Sequence, residues 1–341
     1  MIIIKFVVFI LVGLVLGLSL LNVGYHNGFV GTVAGQSNQT VNELNKRGLD
    51  LLISGNYSES LGYFDKALVI FPDNPQVLDN KGFALYSLGN FSGALYFYDK
   101  ALAIEPNYTT ASRDKQLALL KLGNQLLKPG GYSDAIGFYD KVLAINASNP
   151  HALNNIGFAL YSLGNYSGAI PYYDRSLAIR PNDPVTLNNK GLALYWIGNQ
   201  LLGKGNYSDA IGYFDKALAI NASNPQLLNN KGFALYSLGN YSGAILFYDR
   251  ALGIQPNYTT ALDNKGLALF ALGKDNEAIG YLDKALSLDP KDADALNGKG
   301  VVLAKLGNYY EAIKYFDKAL TIKPDFALAL KNKQKILELV K

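Results

Sequence analysis

The chain has 341 residues, a formal net charge of +4 and no cysteine. Lysines and acidic residues are interleaved along it rather than clustered, which argues against nucleic-acid binding because that requires a basic patch. Without cysteine the chain has neither disulfides nor thiolate metal ligands, and its compartment is left open.

The first 24 residues differ in composition from the rest of the chain. Residues 2–21 are apolar apart from Lys5, several glycines and Ser19, and they approach the roughly 20 residues that span a bilayer. Lys5 favours a cytoplasmic N-terminus, so the remaining chain would lie outside the cytoplasm. Residues 1–24 are therefore predicted to be a transmembrane anchor that contacts the membrane through residues 2–21.

A cleaved signal peptide is the alternative, and the protein would then be secreted. Val33, Ala34 and Gly35 are small residues that suit cleavage, although they lie far from the end of the apolar run. A buried core helix is a third, weaker interpretation. Residues 25–40, rich in Gly, Asn, Ser and Thr, are predicted to form a flexible tether.

From Val41 onward one pattern recurs eight times, with a basic length of 34 residues and two copies of 41. A period in this range is typical of stacked units, each too small to bury its own hydrophobic face. The copies are predicted at 41–74, 75–108, 109–149, 150–183, 184–224, 225–258, 259–292 and 293–326, followed by a capping helix at 327–341.

Each copy has helical apolar spacing twice over. In the second copy a first stripe ends at the Gly89-Asn90 break, and a second stripe follows until Pro106. Gly89 suits a left-handed helix end and Asn90 suits the cap of the next helix. The pattern therefore predicts a helix–turn–helix hairpin in every copy.

Close packing between the two helices is predicted from a glycine that recurs inside the first. A mid-helix glycine costs roughly 0.5–1 kcal/mol relative to alanine, and contact with a large side chain would offset that cost. The glycines are Gly48, Gly82, Gly157, Gly191, Gly232, Gly266 and Gly300. The aromatic residues expected to wedge between helices are Phe64, Tyr98, Tyr139, Tyr173, Phe214, Tyr248 and Phe316. Gln116 replaces the glycine in the third copy, where looser packing is expected.

An alanine also recurs four residues before the aromatic, as at Ala94 and Ala135. The Gly, Ala, aromatic and Pro positions together resemble the tetratricopeptide repeat over residues 41–341. Ala147 and Ala222 depart from the motif, because they replace the closing proline. The resemblance implies an all-α fold, a right-handed superhelical solenoid of eight helix–turn–helix repeats with a C-terminal capping helix. It also implies that the first helices line a concave groove that binds protein or peptide.

Amides and aromatic rings fall at the positions that would face this groove. They are predicted to contact an extended peptide, with the amides bonding to its backbone; the alternative is that they are solvated early-helix positions. The predicted groove residues are Asp79, Asn80, Phe83, Tyr86, Asn154, Asn155, Phe158, Tyr161, Asn188, Asn189, Tyr195, Asn229, Asn230, Phe233, Tyr236, Asp263, Asn264 and Phe270.

A lysine recurs just before the packing glycine, and an aspartate recurs in the second helix. A buried lysine must reach water or pair with an acid, so an Asp–Lys ladder between consecutive repeats is predicted. In the fourth copy Ile156 replaces the lysine and would leave Asp140 without that partner.

Ten asparagines stand in Asn-x-Ser/Thr sequences that permit glycosylation outside the cytoplasm. Asparagine is also a good helix cap at such turns, which is the alternative explanation. The ten are Asn38, Asn56, Asn90, Asn107, Asn146, Asn165, Asn206, Asn221, Asn240 and Asn257.

The two long copies each carry seven extra residues, at 124–130 and 199–205. A continued first helix would project about 10 Å beyond its neighbours and place Leu126, Leu127, Leu201 and Leu202 on one rim. The alternative is that Gly123 and Gly198 end the helices and the leucines fold back over adjacent repeats.

Catalytic constellations are missing from the sequence, which has only two histidines, His26 and His151. The predicted function is a non-enzymatic scaffold without cofactor or metal, tethered to a membrane or exported, that binds a protein or extended peptide. One alternative is a structural, glycosylated component of the cell envelope that self-associates. A weaker alternative is an accessory subunit of a membrane enzyme complex.

Overall fold

The computed structural model describes residues 26–340, with side chains from residue 37 onward. Within that range all regular structure is helical, so the predicted all-α fold is confirmed. The helices are α1 (His26–Ile53), α2 (Tyr57–Ile70), α3 (Pro75–Ser87), α4 (Phe91–Ile104), α5 (Thr109–Gln125), α6 (Tyr132–Ile145), α7 (Pro150–Ser162), α8 (Tyr166–Ile179), α9 (Pro184–Gly203), α10 (Tyr207–Ile220), α11 (Pro225–Ser237), α12 (Tyr241–Ile254), α13 (Thr259–Ala271), α14 (Asp275–Leu288), α15 (Ala293–Lys305), α16 (Tyr309–Ile322) and α17 (Ala327–Leu339).

Local capping signals set these boundaries. From the second repeat onward, each first helix begins at the residue predicted, and so does the capping helix α17. Asn74 caps α3 by accepting a hydrogen bond from the Val77 amide, and Pro75 occupies the first turn, where its missing N–H costs nothing. At the hairpin turn Gly89 takes φ +80°, and the backbone N–H of Asn90 donates to the backbone carbonyl of Leu85.

The described residues form two compact units, one that ends at Leu126 and one that begins at Leu127. The third repeat is divided between them, since α5 belongs to the first unit and α6 to the second. Within each unit the helices of a repeat pack as an antiparallel hairpin, and consecutive first helices also contact one another. Looser packing around Gln116 stays a prediction.

The segment predicted to be a flexible tether is helical instead, because α1 runs from His26 to Ile53. No proline interrupts this stretch, so the hydrogen-bond ladder of the first repeat continues N-terminally without a stop. The predicted anchor or signal at 1–24 lies outside the described residues. Among the described helices, none is both long enough and apolar enough to cross a membrane.

The predicted wedge between glycine and aromatic ring is confirmed. All seven predicted aromatic side chains are fully buried. A Cβ built on Gly82 would lie 2.6 Å from Cε1 of Tyr98, and Gly157 meets Tyr173 in the same way. Gly266 is the variant, because it faces Leu282 rather than a ring.

One predicted packing glycine is wrong. In the fifth repeat the ring of Phe214 lies against Gly198, where a built Cβ would come within 2.4 Å of it. A Cβ built on Gly191, seven residues earlier, would lie 3.5 Å from Cγ2 of Ile220, which is an ordinary van der Waals contact. The two helices of the hairpin pair outwards from the turn that joins them. The ring of the second helix therefore lies against the glycine that is nearer to the turn.

Helix α9 therefore packs against its two neighbouring helices, α8 and α10, in two different registers. Lys190, in its first half, pairs with Asp174 of α8 as in a repeat of ordinary length, whereas its second half packs against α10 seven residues later. The continued helix was predicted correctly, but a rim of free leucines was not: Leu201 and Leu202 are half-buried and pack against the core cluster around Phe214. Helix α5 also continues past Gly123 and ends at Gln125, ahead of Pro129.

Candidate functional site

Asparagine amides connect the first helices of neighbouring repeats. The Nδ2 of Asn80 donates to the Oδ1 of Asn45 at 2.8 Å, and the same two positions, 35 residues apart, are joined repeatedly. The further rungs of this amide ladder are Asn189 to Asn154 at 3.1 Å, Asn264 to Asn229 at 3.0 Å and Asn332 to Asn297 at 3.0 Å. In each unit, we call the surface of the first helices that carries these amides the ladder face.

The extended helix α9 changes one rung. Because α10 and α11 are shifted along it, the Nδ2 of Asn230 donates to Asn199 Oδ1 at 2.8 Å and lies 3.4 Å from Tyr195 Oη. Asn199 belongs to the seven extra residues. Sequence reasoning missed Asn45, Asn199 and Asn332; the 35-residue spacing from predicted asparagines could have identified Asn45.

A carboxyl pair replaces one rung in the first unit. Asp79 and Asp114 occupy the two rung positions there, and both are buried. Burial and, to a smaller extent, the charge of Asp114 together raise the pKa of Asp79 to about 7, against the opposing effects of a hydrogen bond from Tyr108 and the charge of Arg113. Asp114 also forms an ion pair with Arg113, whose Nε lies 2.9 Å from Asp114 Oδ1.

A second carboxyl occupies an incomplete rung. Asp263 should meet an asparagine of α15, but Gly298 stands there, and a Cβ built on it would lie 3.6 Å from Asp263 Oδ1. That oxygen is buried and accepts no hydrogen bond. Burial raises the pKa of Asp263 to about 7, with Asp292 and Asp294 adding to the shift.

Aromatic rings lie on the same helices, three residues from the amides. Phe83 and Phe233 are 40% and 39% exposed, which is unusual for rings on packed helices. Tyr161 packs against Tyr166 with ring centroids 5.3 Å apart, and Tyr86 and Tyr236 make the equivalent contact with the ring that begins the second helix.

The predicted groove residues differ in exposure. Asp79, Asn229 and Asp263 are buried, whereas Phe83, Asn188 and Phe233 are exposed. The others are half-buried, namely Asn80, Tyr86, Asn154, Asn155, Phe158, Tyr161, Asn189, Tyr195, Asn230, Tyr236, Asn264 and Phe270. Their contact with a ligand stays a prediction.

The Asp–Lys ladder is confirmed. Each lysine pairs with the aspartate sixteen positions before it, on the second helix of the preceding repeat; the pairs are Lys81–Asp65, Lys115–Asp99, Lys190–Asp174, Lys231–Asp215, Lys265–Asp249, Lys299–Asp283 and Lys333–Asp317. Within the described part of the chain Asp140 has no ion pair, as was predicted because Ile156 occupies the lysine position of the next repeat.

An aromatic ring completes the lysine site in repeats of ordinary length. The ammonium of Lys265 lies 3.9 Å from the centre of the Tyr281 ring and donates to its hydroxyl at 2.6 Å. Burial alone would lower the pKa of Lys265, but its hydrogen bonds to Asp249 and Tyr281 raise it. These lysines are therefore structural cations.

The ten candidate glycosylation asparagines are all exposed. Asn90, Asn165 and Asn240 use their side-chain oxygen to accept a hydrogen bond from the glycine three residues later, so they are also helix caps. Across residues 26–340 no group of three or more His, Cys, Asp or Glu could hold a metal ion.

Models of the tetratricopeptide repeat match residues 75–108, 150–183, 195–259 and 293–326, and a model of the TPR repeat matches residues 266–307. No curated protein matches the sequence. Similar solved structures include that of YrrB, a TPR protein with an unusual peptide-binding site, at 27% identity and a TM-score of 0.46, covering 57% of this chain and 97% of YrrB. Another is the APC/C hetero-tetramer Cut9-Hcn1, at 21% identity and a TM-score of 0.43, covering 86% of this chain and 55% of the other.

The repeat models together cover more than half of the 341 residues, and the helices begin and end where the repeats do. The chain belongs to the tetratricopeptide repeat family.

Proposed function

We propose that the protein is a non-enzymatic scaffold whose ladder face binds an extended segment of a partner protein. The observation that carries this proposal is the amide ladder itself, in which the half-buried Asn80, Asn189 and Asn264 each donate to an asparagine of the preceding repeat, beside exposed aromatic rings. Tetratricopeptide repeat proteins bind proteins and peptides, and YrrB is described as having a peptide-binding site.

The ladder suits a peptide backbone because its amides have bonding capacity beyond the rung. A carboxamide has two N–H donors and an oxygen with two lone pairs, and the half-buried Asn264 uses one N–H in its bond to the buried Asn229. The rung also fixes the side-chain rotamers in advance, which lowers the entropy lost on binding. Exposed rings such as Phe233 would add apolar contact area.

Peptide display tests the proposal without knowledge of the natural partner. A random-peptide library is selected on the full-length wild-type protein, and the enriched peptides are measured against Phe233→Ala and against Leu246→Ala. Leu246 is 58% exposed on α12, the second helix of the same repeat, so it is a matched control away from the ladder face. Phe233→Ala should weaken binding at least tenfold, which is about 1.4 kcal/mol, and Leu246→Ala should not.

Two results would contradict the proposal. Failure to enrich any peptide would remove the binding function, and equal binding by both alanine variants would place it away from the ladder face. A purified protein that mainly forms polymers of itself would instead favour the structural, self-associating alternative. Co-purification with a membrane enzyme complex would favour the accessory-subunit alternative.

We also propose that the repeats lie outside the cytoplasm, held by residues 2–21 as an anchor or released after signal cleavage. Lys5 before the apolar run and the exposure of all ten glycosylation sequences support this location. Protease added to intact cells should digest the array, and complete protection would overturn the proposal. A mature N-terminus near Gly35 would select the cleaved form.

A further inference from the structure

A cavity of about 320 Å³ opens beside Gly191, at the place where the extended helix changes register. In the other repeats with a packing glycine, a buried ring or leucine occupies the equivalent space. Here α10 is shifted along α9, so Phe214 lies against Gly198. Beside a Cβ built on Gly191 the nearest atoms are those of the Ile220 side chain. The volume is within the range of about 300–1,000 Å³ seen in ligand pockets.

The cavity walls come from three helices of the second unit. Leu187 and Leu192 of α9, Ile220 of α10 and Leu227 of α11 supply apolar surface. Asn188 and Tyr195, two of the predicted groove residues, are also part of the lining, so the cavity is continuous with the ladder face.

The rim carries amides and no charge. Asn188, Asn221 and Asn224 are the polar residues of the lining besides Tyr195, and among the residues described no charged side chain lines the cavity. A charged occupant would lose its hydration without an opposite charge to compensate. An uncharged side chain whose backbone reaches the rim amides fits this lining.

We propose that the Gly191 cavity is a subsite for an aromatic side chain of the bound peptide; this rests on the proposed function. The chain itself shows the complementarity, because a phenyl or phenol ring lies close against the equivalent glycine at Gly82, Gly157, Gly232 and Gly300. The partner's ring takes the place that Phe214 vacates when the first helix is seven residues longer.

The other extended repeat provides a natural filling residue. Its sequence position equivalent to Gly191 is Gln116, whose side chain hydrogen-bonds to the Ser112 carbonyl of its own helix at 3.4 Å. Gly191→Gln is therefore a substitution that an α-helix of this chain already carries. Gly212→Gln, on α10 of the same repeat, is the matched control because a Cβ there would meet nothing within 4 Å.

The probe is N-acetylphenylalanine amide, an uncharged analogue of a peptide-borne ring, titrated into the full-length protein. Trp196 is the only tryptophan, and its ring lies 5.6 Å from that of Tyr195, so its fluorescence reports on the lining. Wild type and Gly212→Gln should show a saturable change with a Kd of about 1 mM. Gly191→Gln should weaken binding at least tenfold. Ile220→Phe, which fills the cavity from the opposite wall, should do the same and covers the case in which Gly191→Gln does not fold.

Unchanged binding of the probe by both Gly191→Gln and Ile220→Phe would overturn the proposal. Equal affinity of the wild type for N-acetylleucine amide and for the probe would also overturn it, because the subsite would then be apolar without selecting an aromatic ring. Peptides selected by display that bind Gly191→Gln as tightly as wild type would overturn the subsite while leaving the proposed function intact. Saturable binding of the probe in the absence of any selectable peptide would retain the aromatic pocket and remove the proposed function.

Discussion

Gly198 and Phe214 meet so closely that a Cβ built on the glycine would lie 2.4 Å from the ring. The ring is fully buried and cannot move aside without displacing its neighbours. Gly198→Ala should therefore lower the free energy of unfolding by about 1–3 kcal/mol, measured by urea denaturation. Gly191→Ala should raise it by roughly 0.5–1 kcal/mol, because its Cβ makes an ordinary contact and alanine favours helix. Equal effects at the two glycines would contradict the register described for α9.

Removing the extra residues should exchange the roles of these glycines. Deletion of 199–205 leaves Gly191 sixteen positions before Phe214, the spacing that separates Gly82 from Tyr98. We expect a folded, helical protein by circular dichroism, in which Gly191→Ala now destabilises by about 1–3 kcal/mol. A deletion variant that unfolds would show that Leu201 and Leu202 are indispensable to the core.

The lysine ladder should matter where its lysine is most buried. Lys265 is 9% exposed and would lose its carboxylate partner in Asp249→Ala, with an expected loss of about 1–2 kcal/mol in unfolding free energy. Asp140→Ala is the control, because Ile156 stands at the lysine position of the next repeat. It should change stability by less than about 0.5 kcal/mol. A comparable loss at both sites would indicate a general helix effect instead of the ion pair.

The buried carboxyls predict a fall in stability with rising pH. Burial raises the pKa of Asp263 from 3.8 to about 7, and the same holds for Asp79. Between these values the folded protein holds a proton that the unfolded chain has released, so stability is greatest at the acidic end of the window and is lost as pH rises to 7. The unfolding free energy should be lower at about pH 8 than at about pH 5 by on the order of 1–4 kcal/mol.

Replacement of each buried carboxyl tests this assignment. Asp263→Asn and Asp79→Asn should each flatten the pH dependence, whereas Asp140→Asn, at an exposed position, should leave it unchanged. A wild-type protein whose stability increases between these pH values would contradict the burial of both acids as ionisable groups.

The incomplete rung at Asp263 can be repaired. Gly298→Asn places an amide where the other rungs have one, and it should stabilise the protein at about pH 8 relative to Gly298→Ala by about 1–2 kcal/mol. Both variants carry the same Cβ, which meets Leu267 at 3.2 Å and Leu282 at 3.3 Å, so their difference isolates the hydrogen bond. Thermal and urea unfolding of the pair provide the measurement, and equal stability would mean that the amide does not reach Asp263.

Sequence alone was sufficient for the features that depend on local signals. The caps, prolines and turn glycines that bound each helix act within a few residues, which is why starts such as Pro75 and Thr109 were predicted correctly. The buried aromatics and the Asp–Lys pairs followed from their recurrence at one position per repeat, since every copy faces the same environment.

Tertiary structure decided every feature that depends on register. Both Gly191 and Gly198 fit the packing motif, and only the docking of α10 determines which of them receives Phe214. Likewise nothing in the sequence indicates that the side chains of Asn229 and Asn264 bond to each other and not to solvent or a ligand. Their pairing depends on how closely two first helices approach, a distance set by the packing of all side chains between them and not by any signal within one repeat.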